Sequence, residues 1–128
     1  MSDPIVFISR NRIKPGKVED FRKHYGDSVP ITQANKPNTL VQLAYENQDA
    51  TQVTIVRVLP GADALDQQLQ GADERSKKTY EFIEPVSVEI FGAPSKFALA
   101  MMKKIAGTGI AVSIHPQFIG GLMRLKSE

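Results

Sequence analysis

Arg57 is the charged side chain of this sequence that most needs an explanation. It lies among Val53, Ile55 and Leu59 in a segment that alternates like a β-strand, so we expect it inside a sheet. An unpaired guanidinium buried there would be costly. Two explanations stay open. Arg57 forms an ion pair with Glu89, within the chain or across an interface, or it belongs to an anion or enolate site and stabilises developing negative charge.

Four more polar side chains lie on predicted strands, where they could meet Arg57. Ser9 and Asn11 share one face of the first strand, Gln42 lies within the second, and Glu89 occupies the more polar face of the last. We expect these groups to converge on the more polar face of the sheet, opposite the face covered by helices. They are the predicted lining of a cavity, with Arg57 and Asn11 as candidate catalytic residues.

His24 and Tyr45 are weaker candidates for the same site. His24 follows the predicted buried stripe of the first helix, and Tyr45 on the second strand could donate a hydrogen bond to a ligand. Either residue could instead have a structural role. His24 and His115 are isolated histidines, and the chain contains no cysteine, so we predict neither a metal site nor a cofactor.

Length and composition set the class of protein. The 128 residues suffice for one domain, and 41% hydrophobic with 23% charged residues is ordinary globular composition. The net charge of +2 is scattered, so nucleic acid is not an expected partner. No segment has the length of a membrane span, and we expect a soluble cytoplasmic protein.

The predicted elements follow the order βαββαβ. Strands are expected over residues 4–13, 39–46 and 52–59, and in a last strand Val86, Val88 and Ile90 should share one face. One helix starts near residue 17 and is interrupted at Pro30, and a second follows Pro60.

This order is that of the ferredoxin-like α+β fold, a four-stranded antiparallel sheet with two helices on one face and the first and third strands central. The second face of such a sheet is bare. Bare apolar sheet faces are commonly buried by a second copy, so a homodimer is expected.

Residues 94–128, called here the C-terminal extension, continue beyond the fourth strand. Their spacing predicts a helix to Ala106, a short strand with Val112 at its centre, and a final segment containing Phe118 and Leu125. These apolar groups are too many to leave in water. We predict that the extension docks on its own domain, residues 1–93, or across a dimer, and that it forms part of that domain.

The stretch IVFISRNRIKPGKVEDF, with a strand, a Pro-Gly turn and a helix that opens on an acidic pair, resembles the antibiotic biosynthesis monooxygenase family. The resemblance covers about Pro4 to Gly92 and implies a dimeric α/β barrel with a cavity in each subunit. Haem-degrading relatives use an Asn on the first strand with a Trp and a His near the second helix. Asn11 matches the first, but the chain has no Trp and no His in that helix.

Two functions of different classes follow from these observations. One is a cofactor-independent monooxygenase acting on a small aromatic or polyketide-like molecule, with Asn11, Arg57 and His24 as candidate catalytic residues. The other is a non-catalytic small-molecule binding or assembly protein on the same fold. Fold alone does not choose between them.

Overall fold

The computed structural model describes residues 3–107 and 109–124. Their helices and strands, in chain order, are β1 (Ile5–Ile13), α1 (Val18–Asn35), β2 (Val41–Glu46), β3 (Gln52–Leu59), α2 (Ala62–Leu69), α3 (Ala72–Thr79), β4 (Ile83–Phe91), α4 (Lys96–Ala106) and β5 (Ala111–His115). None of the helices in these residues combines the length and the hydropathy needed to span a bilayer.

The strands form one sheet in the order β2-β3-β1-β4-β5, with β1 and β3 in the central positions that the sequence predicts. The first four strands are antiparallel neighbours, as the ferredoxin-like order requires. The predicted α+β fold is therefore confirmed. The sheet has a fifth strand because β5, from the C-terminal extension, pairs in parallel with the edge of β4.

The two faces of the sheet differ in what covers them. On the face toward the helices, called here the inner face, Ile5, Phe7 and Ile13 are buried in two apolar clusters with residues of α1, α2 and α4. On the outer face, the neighbouring residues Val6 and Ile8 are only half-buried. The inner face therefore holds the core, and the outer face is only partly covered by the described residues.

A β-bulge in β4 changes which of its side chains face inward. Pairing with β1 shifts between Arg10 and Asn11, so that Ser87 faces Arg10 and Pro85 faces Asn11, with Val86 left between them. The prediction that Val86 shares a face with Val88 is therefore wrong. Val88 is buried, whereas Val86 is exposed.

The first helix runs through Pro30 without interruption, contrary to the prediction of a break there. Proline lacks the N–H that would bond the carbonyl four residues earlier, which is that of Gly26. Both residues lie on the exposed face of α1, where water can satisfy the carbonyl.

The second predicted helix is instead divided into α2 and α3. Gln70 is extended and Gly71 adopts a left-handed conformation with φ of 72°, which glycine tolerates. Arg75 fastens the break, because its Nη1 and Nη2 donate to the carbonyls of Gln70 and Gln68, each at 2.6 Å. The break turns the two helices into separate walls above the sheet.

The C-terminal extension docks in two of its three parts. Ala98 and Met102 of α4 are buried in the cluster beneath α2, and β5 extends the sheet. Residues 116–124, called here the distal arm, have no regular structure, and within them Ile119 is 100% and Leu122 77% exposed. Leu125 of the prediction lies outside the described residues.

Candidate functional site

A cavity of about 400 Å³ separates the inner face of the sheet from the helices. The strands form its floor and α1, α2, α3 and α4 its walls. Its polar lining residues are Ser9, Asn11, His24, Tyr25, Ser28, Thr32, Gln42, Arg57, Gln68, Arg75, Ser76, Thr79 and Tyr80, and apolar side chains make up the rest.

Arg57 points into this cavity from β3. Its Nε donates to Oε1 of Gln42 at 2.8 Å, and its Cζ lies 5.9 Å from the centre of the Phe7 ring. No carboxylate of the described residues lies within ion-pair distance of it. Burial lowers the pKa of the Arg57 guanidinium below its ordinary value, since it disfavours the charged form. Arg57 is thus a partly desolvated cation held by two neutral groups.

The charge lining the cavity is positive. Arg75 lines the same space, and its charge also disfavours the charged Arg57. The phenol of Tyr80 lies close enough for electrostatic coupling to Arg57, although burial dominates and raises the Tyr80 pKa. None of the described lining residues is an Asp or a Glu. An anion entering the cavity would therefore meet attraction from Arg57 and Arg75 and no repulsion from a lining carboxylate.

Asn11 supplies an amide at the floor of the cavity. The residue is only 3% exposed, and its Nδ2 makes long hydrogen bonds of 3.4 Å to the Ser9 carbonyl and hydroxyl oxygens and 3.5 Å to the Val53 carbonyl. Bonds of this length are weak. The Asn11 N–H groups can therefore be redirected to a ligand oxygen at little cost.

His24 reaches the cavity from α1. Its Nε2 lies 2.8 Å from Oγ1 of Thr79, and its ring lies 5.3 Å from the ring of Phe82. The hydrogen bond and the ring contact fix the imidazole between α1 and α3. A fixed imidazole at a cavity wall can accept a proton from a ligand.

The structure thus brings together Ser9, Asn11, His24, Gln42 and Arg57, five of the seven predicted site residues. The other two, Glu89 and Tyr45, lie on the opposite face of the sheet, because successive side chains of a strand point to opposite faces.

Glu89 lies on the outer face, where its carboxylate pairs with Arg10. This corrects the predicted convergence of Glu89 with Ser9, the predicted Arg57–Glu89 ion pair within the chain, and the prediction that the cavity lies on the face away from the helices. The sheet separates Glu89 from both Ser9 and Arg57. Tyr45 lies at the outer surface of β2 with 64% of its area exposed and does not line the cavity.

Sequence reasoning missed most of the polar lining residues on the helices, among them Arg75, Thr79 and Tyr25. Arg75 and Thr79 lie one step beside the predicted apolar stripe of the second helix, at i+3 from Ala72 and Ser76. Tyr25 lines the cavity while packing on the core. The i+3 spacing was the available signal.

Three solved structures show what the fold is similar to. MupZ from Pseudomonas fluorescens superposes with a TM-score of 0.72 at 14% identity, over 96% of this chain and 97% of MupZ. SnoaB, a cofactor-independent oxygenase from Streptomyces nogalater, gives 0.60 at 15% identity, over 74% and 97%. A candidate antibiotic biosynthesis monooxygenase from Bacteroides thetaiotaomicron gives 0.57 at 18%, over 73% and 90%.

At these identities the likeness concerns the fold, and at that level it confirms the resemblance to antibiotic biosynthesis monooxygenases. No protein-family model and no curated protein sequence matches the chain. The structures also differ in the share of this chain that they match. The extension is about a quarter of the chain, so a match over 96% includes most of it, whereas 74% is close to the share of residues 1–93 alone.

Proposed function

We propose that the cavity binds a small aromatic or polyketide-like molecule and that the chain oxidises it with O₂ as a cofactor-independent monooxygenase. The observation that carries this proposal is Arg57, a guanidinium that has no carboxylate partner among the described residues and faces a largely apolar cavity. Apolar walls suit a carbon skeleton, and the cation suits the negative charge that deprotonation of that skeleton creates. The fold shared with SnoaB supports the same class of reaction.

In the proposed reaction the substrate supplies the electrons. His24 accepts a proton from an activated CH₂ group, and Arg57 with the amide of Asn11 stabilises the resulting enolate. The carbanion carbon then reacts with O₂, one oxygen atom becoming a carbonyl and the other leaving as water. The carbon loses four electrons and O₂ gains four, so R₂CH₂ and O₂ give R₂CO and H₂O without a further reductant.

Oxygen uptake tests this proposal. We expect the full-length protein to consume O₂ with at least one member of a panel of quinol and anthrone-like substrates, in a 1:1 ratio with substrate. Arg57→Ala should lose most of the rate, since removing one charge-stabilising donor typically costs about 100-fold or more. Arg12→Ala, on the outer face, is the matched control. No uptake by the wild type with any member of the panel would contradict the enzyme proposal.

One observation favours the alternative, a non-catalytic binding protein on this fold. His24 already shares its Nε2 with Thr79, and no carboxylate of the described residues lines the cavity to act as a second base. A binder needs only the cavity and Arg57. Saturable binding of panel members without O₂ uptake would select this function.

We also propose a homodimer formed through the outer face. Leu43, Tyr45 and Val86 are 40% to 64% exposed on or beside that face, and the distal arm adds further apolar surface. Exposed apolar surface of this extent is usually an interface. Residues 1–93 and the extension would enter this dimer as one domain, since α4 shares the core. Sedimentation showing a monomer at micromolar concentration would contradict the dimer.

A further inference from the structure

The guanidinium of Arg57 offers one free edge to the cavity. Nε is engaged by Gln42 and one face of the group lies near Phe7, but Nη1 and Nη2 have no hydrogen-bond partner among the described residues. No buried side-chain nitrogen or oxygen there lacks a partner, so both Nη atoms must be accessible. Because Arg57 lines the cavity, the cavity is where that accessible surface lies.

Arg75 strengthens the field at this edge without competing for a ligand. Both of its Nη atoms are occupied by the carbonyls of Gln68 and Gln70. Its positive charge disfavours the charged state of Arg57, which lies already in a desolvated site. An anion placed on Arg57 would relieve both the repulsion and the desolvation.

The free edge has a specific chemistry. The two Nη groups of a guanidinium form a planar fork whose N–H bonds match the two oxygens of a carboxylate. A single phenolate or enolate oxygen uses only one position of this fork. Two oxygens on one planar group therefore fit the site better than one.

We propose that Arg57 is the anchor of a carboxylate-binding subsite, so that the ligand of the cavity is an aromatic or polyketide-like carboxylic acid. The inference rests on the proposed function for the carbon skeleton but not for the reaction. Gln42 is a positioning residue that holds the fork toward the cavity. The apolar side chains of Leu69, Val88 and Met102 then face the rings of the acid.

Paired probes test the charge directly. Calorimetric titration of the full-length protein at pH 7.5 compares 2-naphthoate with 2-naphthamide, which has the same shape and no charge. We expect the acid to bind about 10-fold to 100-fold more tightly than the amide, as a charge-assisted hydrogen-bond pair provides. An equal or better affinity for the amide, or no binding of the acid at millimolar concentration, would overturn the proposal.

Variants test whether Arg57 causes the preference for the acid over the amide. Arg57→Gln should abolish the difference between acid and amide, and Arg57→Lys should retain only part of it because lysine lacks the fork. Arg12→Gln removes a charge from the outer face and should leave the difference unchanged. A preference that survives in a folded Arg57→Gln variant would contradict the assignment. If that variant does not fold, the comparison of the two probes on the wild type decides alone.

The carboxylate subsite and the enzyme proposal can be refuted independently of each other. Tight binding of the acid without O₂ uptake by any substrate would contradict the enzyme proposal and support the carboxylate subsite. Uptake with neutral anthrones, together with no preference for the acid, would support the enzyme and overturn the subsite.

Discussion

Replacing Arg57 by methionine should stabilise the protein while removing ligand binding. Arg57 is a half-buried charge without an ionic partner among the described residues, and replacing buried charged groups by apolar residues of similar volume can stabilise a fold by about 1–4 kcal/mol. Two contacts are lost in exchange. The hydrogen bond to Gln42 is worth about 1.5 kcal/mol for a charged donor and the contact with Phe7 about 0.5 kcal/mol.

The difference leaves Arg57→Met more stable than the wild type by about 0.5 kcal/mol, taking the middle of the range for the removed charge. For a domain of this length that is a rise in Tm of about 2 °C. Differential scanning calorimetry without ligand measures it. Arg12→Met removes an exposed charge that is paired with Glu84 and should not raise Tm. A fall in Tm of the Arg57→Met variant would refute the interpretation that the contacts of Arg57 within the protein do not offset the cost of its desolvation.

Three further changes test the fold around the site. Gly92→Ala should lower the free energy of unfolding in urea by about 2–4 kcal/mol, because φ of Gly92 is 127° and the new Cβ would lie 2.7 Å from a side-chain carbon of Ile5. Gly26→Ala is the control and should not destabilise the protein, because nothing lies within 4 Å of its new Cβ. The hydrogen bond from Lys104 lowers the pKa of the Asp73 carboxyl below its ordinary 3.8, so that pairing stabilises above this pH and is lost below it. Asp73→Asn should therefore show a smaller loss of Tm than the wild type between about pH 5 and pH 3, and an equal loss would contradict the pairing. Truncation after residue 93 removes the buried part of α4 and should cause aggregation or a large fall in Tm, whereas a truncated chain with an unchanged Tm would show that the extension does not stabilise the domain.

The strand order was predictable because local patterns specify it. Alternation and turn residues fixed β3 at residues 52–59 and placed β1 within one residue of its observed start. The grouping of Ser9 and Asn11 on one face followed from the same alternation, since a regular strand keeps its faces. Alternation did not show which face the helices cover, so the cavity was expected on the wrong side of the sheet.

The departures arise where one residue changes the geometry. The bulge at Val86 inserts a single residue, and no local pattern of apolar side chains announces it. Glu89 was assigned correctly to the face opposite Val88 and Ile90, but the mixed composition of that face suggested a cavity there, whereas Arg10 pairs with Glu89 on it. Arg75 became part of the site only because Gly71 divides the helix and Arg75 bonds across the division.

We propose that ligands bind in the cavity beneath the helices and not on the outer face of the sheet. Titrating isotopically labelled protein with 2-naphthoate and following NMR chemical shifts tests it directly. We predict that the side-chain amide signals of Asn11 and Gln42 shift with the same saturation, while the signals of Tyr45 and Val86 remain in place. Saturable shifts at Tyr45 and Val86, with Asn11 and Gln42 unchanged, would contradict it.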